Sequence, residues 1–225
     1  MSGDFTGFPQ EGLDFLSELG GQDKAWFDEN RKTYNASVVP QTKAFVTALG
    51  GRLASGFAPV ISAVPKTNGS IGPINNDLRF SPDKSPYKDH LLLRFWEGPE
   101  KKTAPTLFVR VGPDQIGYGV GAALGAIDVW REAVDSPKSG AELADALKRL
   151  GKGRELDLAG QGYKRVPKPF EEDHPRADLL KFKGGFQARW LEPVPKSITS
   201  PKFVDHCMKH LERCADVHRW LVANL

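Results

Sequence analysis

Three apolar runs lie close together near the middle of the chain, at residues 91–96, 106–111 and 115–120. Gly-Pro pairs at 98–99 and 112–113 punctuate the gaps, and Gly112-Pro113-Asp114 makes the second gap a tight connection. No helical pattern separates the runs. They predict an antiparallel meander, not alternating βαβ units.

Helical patterns flank this centre. Residues 9–19 place Leu13, Phe15, Leu16 and Leu19 at helical spacing, ended by Gly20-Gly21. Asp23 is positioned to cap a second helix carrying Trp26, Phe27, Asn30, Arg31 and Tyr34, which Pro40 breaks or kinks. A third piece with Ala44, Phe45, Ala48, Leu49 and Leu53 stops near Gly56, and residues 57–76 read as a linker or irregular edge. Beyond the meander, residues 122–134 read as helix, and Ser139 as the cap of another that Gly151 ends. Residues 156–158 and 163–166 read as short extended pieces, 175–182 as a short helix and 186–191 as a strand. Ser200-Pro201 opens a last helix reaching about Asn224. The class is α+β, an antiparallel sheet meander packed with N-terminal and C-terminal helices, as one domain over residues 1–225.

Composition narrows the function classes. No run of about 18 apolar residues exists, so no membrane partner is expected. The N-terminus lacks a secretory pattern. Cys207 and Cys214 alone make no disulfide framework, so the expected setting is cytoplasmic with reduced thiols. A formal charge of +3, with cations and acids alternating, leaves room for a local basic pocket but argues against a general grip on nucleic acid.

The densest chemistry lies in residues 77–88, Asp-Leu-Arg-Phe-Ser-Pro-Asp-Lys-Ser-Pro-Tyr-Lys. Its prolines rule out a regular helix, and it reads as a stiffened loop feeding the first strand. Arg79, Lys84 and Lys88 suit a phosphate or carboxylate, while Tyr87 can donate a hydrogen bond or stack on a ring. Asp77 and Asp83 can orient those cations, act as a base or hold a divalent ion. The same residues also fit a solvated, salt-bridged loop pinned by its aromatics.

Three other constellations carry two readings each. His174, between Asp173 and Pro175, is either an acid, base or ligand, or the cap of a short helix. Asn30 and Arg31, with Trp26 and Tyr34 on one helix, line a pocket wall or belong to a core helix. His206, His210, Cys214 and His218 recur every four residues, but such steps drift around a helix of 3.6 residues per turn. Cys214 reads as a small core residue there, and no metal is assigned. The glycines at 117, 119 and 121 fit close packing better than a dinucleotide fingerprint, which requires a βαβ unit.

Three stretches together resemble the domain-of-unknown-function family 2461. They are Trp26-Phe27-x-x-Asn30-Arg31-x-x-Tyr34 with Pro40; the 77–88 stretch; and Tyr163-Lys164-Arg165-Val166-Pro167 with Phe170 and Asp173-His174-Pro175, running on to Leu179-Leu180 and Lys183. The match spans roughly residues 8–190. It implies a soluble, mostly single-domain protein and carries over no catalytic role; any cofactor is unknown.

Two functions remain on these grounds. One is a ligand-binding or enzymatic domain for a small anionic molecule, with Arg79, Lys84, Tyr87, Lys88, Asn30 and Arg31 binding and Asp77, Asp83 or His174 moving protons. The other is a non-enzymatic module that docks the same loop on an acidic protein or nucleic-acid surface.

Overall fold

A computed structural model describes residues 4–65, 69–79, 85–160 and 162–225. The central runs form strands β1 (Leu91–Trp96), β2 (Thr106–Val111) and β3 (Gln115–Ala123). Two later strands, β4 (Asp157–Ala159) and β5 (Gly185–Pro193), complete one antiparallel sheet of order β1-β2-β3-β5-β4. At the β4 edge Leu158 sits opposite Ala188. Period-2 burial sets the faces: Phe186, Ala188 and Trp190 turn inward while Gln187, Arg189 and Leu191 turn outward. The class is therefore α+β, as the turn spacing predicts. The irregular stretch before β1 runs beside it, with Ile71 bridging Leu93 and Arg94 N–H donating to Ser70 O at 2.9 Å. Among the described residues no helix is long and apolar enough to cross a membrane.

Helices precede, interrupt and follow the strands. They are α1 (Gln10–Leu19), α2 (Lys24–Thr33), α3 (Val39–Gly56), α4 (Ile127–Asp135), α5 (Pro137–Gly151), α6 (Ala177–Leu180), α7 (Phe203–Leu211) and α8 (Ala215–Asn224). Asp23 caps α2 as expected, its carboxylate accepting from Trp26 N–H at 2.9 Å. Pro40 does not break the chain of helix. It sits in the first turn of α3, where a missing N–H costs nothing, and the irregularity falls earlier as a π-helical turn at Tyr34–Val38.

Several boundaries differ from the sequence reading, and three of them change an element's start, cap or continuity. Strand β3 extends to Ala123, so α4 starts at Ile127 and not at 122. Helix α5 is capped by Ser136, whose hydroxyl accepts from Ser139 N–H at 3.3 Å, and Pro137 occupies its first turn. Periodicity alone could not separate two serines three residues apart. The last helix is two: α7 and α8, separated by a 3-10 turn at Glu212–Cys214.

The chain clusters into two compact units: residues 1–95, 108–118 and 191–210; and residues 96–107, 119–190 and 211–225. The first has an aromatic core in which Phe45 meets Phe5 at 5.0 Å and Phe203 at 5.2 Å between ring centroids. In the second, Trp130 is fully buried and packs against Phe186 at 5.0 Å and Trp220 at 5.7 Å.

Candidate functional site

The described residues of this segment, 77–79 and 85–88, belong to the first unit, where the base of the segment is a small hydrogen-bonded clamp. Asn75 bridges Tyr87, Lys88 N–H donates to Ile74 O at 2.9 Å, and the Asn76 amide donates to Ser85 O at 2.8 Å and Tyr87 O at 2.9 Å. Phe80, Ser81, Pro82, Asp83 and Lys84 lie outside the described residues.

Each remaining member has a defined setting. Arg79 is 78% exposed, and its guanidinium donates to both oxygens of Asp77, at 2.9 and 2.6 Å. Those bonds hold the Asp77 carboxyl below the usual carboxylate range and the guanidinium above its own. The Lys88 ammonium donates to Pro73 O at 2.6 Å and to Asn75 O. Burial, helped by the charge of Arg94, lowers its pKa. Tyr87 is buried, its ring stacked on Phe27 at 4.7 Å. Arg31 lies over the same Phe27 ring at 5.0 Å and pairs with Asp28. The Asn30 amide donates to Trp26 O at 2.9 Å. Tyr34 sits 5.4 Å from Phe27, and burial raises its phenol pKa. Phe27 thus joins the α2 residues to the end of the loop.

The chain next meets a cluster that sequence reasoning missed. Asp89 accepts from His90 Nδ1–H at 2.6 Å and from the Arg110 guanidinium at 3.2 Å. Burial pushes the Asp89 carboxyl up, but the His90 bond and the Arg110 charge outweigh it, and the carboxyl stays below its ordinary range. Burial lowers the His90 pKa, so the imidazole is neutral near pH 7. With its proton fixed on Nδ1, that neutral ring carries its basic lone pair on Nε2. Pairing of β1 with β2 brings Arg110 to Asp89 across 21 positions of sequence. The adjacent pair Asp89-His90 was the only linear signal.

His174 belongs to the second unit. Its Nδ1 accepts from Arg176 N–H at 3.1 Å, which leaves Nε2–H to face Asp135 Oδ1 at 3.2 Å. Arg176 in turn donates to Val134 O at 2.6 Å and Asp135 O at 2.9 Å, closing the end of α4.

The histidine ladder falls in two places. In the first unit His206 and His210 lie 4.6 Å apart, and His210 stacks on Tyr118 at 4.5 Å. Glu192 Oε1 is 3.5 Å from His210 Nδ1, and the Tyr118 hydroxyl is 3.9 Å from Cys207 Sγ. In the second unit His218, 1% exposed, donates through Nε2 to Glu97 at 2.8 Å. Burial raises the thiol pKa of Cys207 and Cys214 far above the ordinary value, so both stay protonated. Among the described residues no group of three or more His, Cys, Asp or Glu is arranged to hold a metal.

This first-unit pair gives a pH prediction. Burial lowers the pKa of both rings, with Lys209 adding to it and Glu192 opposing it; the neighbouring His206 adds further at His210. Both are neutral in the fold at pH 7. As pH falls below about 6.5 the unfolded chain takes up protons first, so stability drops until the folded-state pKa is passed. The expected slope approaches about 1.4 kcal/mol per pH unit for each histidine. Urea titrations at pH 7.5 and 5.5 measure it, and His206→Gln should flatten the difference.

Fold and site together define an α+β protein with an antiparallel sheet and a polar loop clamped at the start of its first strand. The sequence matches the family model "Conserved hypothetical protein (DUF2461)" over residues 11–220, and the chain belongs to that family. The match takes in α7 and most of α8, beyond the reach of the motifs themselves. No curated protein matches the chain.

Proposed function

We propose that the first unit binds a small anionic molecule, one bearing phosphate or carboxylate, beside the clamped base of the 77–88 loop. The observation that carries this reading is the Asp89–His90–Arg110 cluster: one carboxylate orients a neutral imidazole and a guanidinium at the point where the loop enters β1. Arg79 supplies an exposed guanidinium on the same loop, already oriented by Asp77. Guanidinium groups suit planar or tetrahedral oxyanions through paired N–H donors. Asp89 holds the His90 proton on Nδ1, the arrangement in which Nε2 accepts a proton from a bound hydroxyl or acid. Lys88 serves the clamp instead, since its ammonium is committed to two backbone carbonyls.

Calorimetric titration with inorganic phosphate and with citrate tests the reading. Saturable binding is expected for one of them, weakened about tenfold by Arg79→Ala, the loss of one charge-assisted contact. His90→Asn should weaken it less, because its Nδ2–H can still donate to Asp89. If Arg79→Ala binds both anions as the parent chain does, the loop is not the site. Binding only to acidic polymers, collapsing with salt, would favour the docking-module reading.

A further inference from the structure

We infer that the second unit carries a separate phosphate-group site, built from Arg131, Tyr163 and Lys183. Three observations converge on it. Tyr163 is 44% exposed, so a dissolved ion can reach it. Both Arg131, at 5.5 Å, and Lys183, at 5.4 Å, lie over that ring. Arg131 is only 16% exposed; among the described residues its buried Nε has no hydrogen-bond partner, and the acid it pairs with, Asp128, stands 3.6 Å away and is 96% exposed. Among the described residues no carboxylate pairs with Lys183, and the nearby Asp178 is taken by Lys181 at 3.1 Å.

Two cations on one ring repel each other, and the ring or a guest offsets what the exposed Asp128 leaves of the Arg131 charge. The ring supplies part of that compensation, and an oxyanion supplies the rest. A guanidinium, an ammonium and a phenol O–H offer three kinds of donor, which suits the several oxygens of a phosphomonoester better than the two of a carboxylate. Lys164 and Arg165, the next two residues after Tyr163, are also exposed.

The backbone holds the three side chains on rigid supports. Arg131 follows Trp130 on α4, and the Trp130 indole N–H donates to Leu179 O at 2.9 Å. Trp130 also meets Phe182 edge-on at 6.2 Å, and Lys183 follows Phe182. Gly162 bridges Phe182, and Tyr163 N–H donates to Lys181 O. All three therefore hang from one core, as a site that recognises a fixed geometry requires. Tyr163 and Lys183 belong to the third family motif, which the 77–88 reading leaves unused.

The test follows amide NMR signals of the full chain while inorganic phosphate is added at constant ionic strength against chloride. Saturable shifts are expected at Tyr163, Phe182 and Lys183, and Lys183→Gln should weaken the binding read there about tenfold. Lys183 is exposed, so that variant keeps its fold; Arg131→Gln, checked by thermal melting, should act in the same direction. Arg79→Ala should leave these shifts intact, which separates this site from the one proposed in the first unit. No saturable shift at the three amides, or an unchanged affinity in Lys183→Gln, overturns the inference. So does a short single-stranded oligonucleotide binding there far more tightly than phosphate with a steep salt dependence, which would assign the face to a polynucleotide.

Discussion

Trp130→Ala is expected to destabilise the chain by about 4 kcal/mol, the range for removing a large aromatic from a packed core. Trp130 is 0% exposed. It lies 5.0 Å from Phe186, 5.7 Å from Trp220 and 6.2 Å from Phe182, so its removal opens a void with aromatic walls on three sides. The loss is also polar, since the Leu179 carbonyl accepts from the Trp130 indole and would be left without that donor. Trp130→Phe separates the two contributions. It restores most of the volume but not the N–H, and should cost about 1–2 kcal/mol. Urea unfolding followed by near-ultraviolet circular dichroism measures both. A loss below about 1 kcal/mol for Trp130→Ala would mean that α4 is not anchored through this side chain.

What could be read from the chain depended on whether the cause was local. Asp23 caps α2 and the first two strands begin and end where expected, because capping and turn chemistry act over a few residues. The end of β3 was missed because Gly119, Gly121 and Ala122 have side chains too small to show an alternating pattern, although all three positions are buried. The concentrated charge of 77–88 marks the loop, and Phe27 links it to α2 as sequence spacing could not foretell. The Asp89–His90–Arg110 cluster was illegible because strand pairing creates it. Lys88 shows the opposite limit. A lysine among serines and prolines reads as a binding cation, yet in the fold its ammonium serves backbone carbonyls, and only coordinates reveal a partner that has no side chain.

The glycines of β3 give the second large effect. Gly121→Ala should destabilise the chain by about 3 kcal/mol, the upper part of the range for forcing atoms into a filled interior. A Cβ at Gly121 would stand 2.2 Å from the backbone oxygen of Phe186 on β5. A carbonyl in a paired strand cannot swing aside as a side-chain tip can, so the strands must separate or bend. This is the close approach that a glycine inside a strand signals, and it accounts for the last glycine of the Gly-x-Gly-x-Gly run. Gly51→Ala provides the control in the same chain. Gly51 lies inside α3 with nothing within 4 Å of its added methyl, so alanine there removes only backbone freedom from the unfolded state. That change should stabilise by about 0.5–1 kcal/mol. Opposite signs from one chemical substitution, read from paired urea melts, would establish that steric contact and not loss of glycine as such governs β3. Equal effects at the two positions would refute the close packing of β3 on β5.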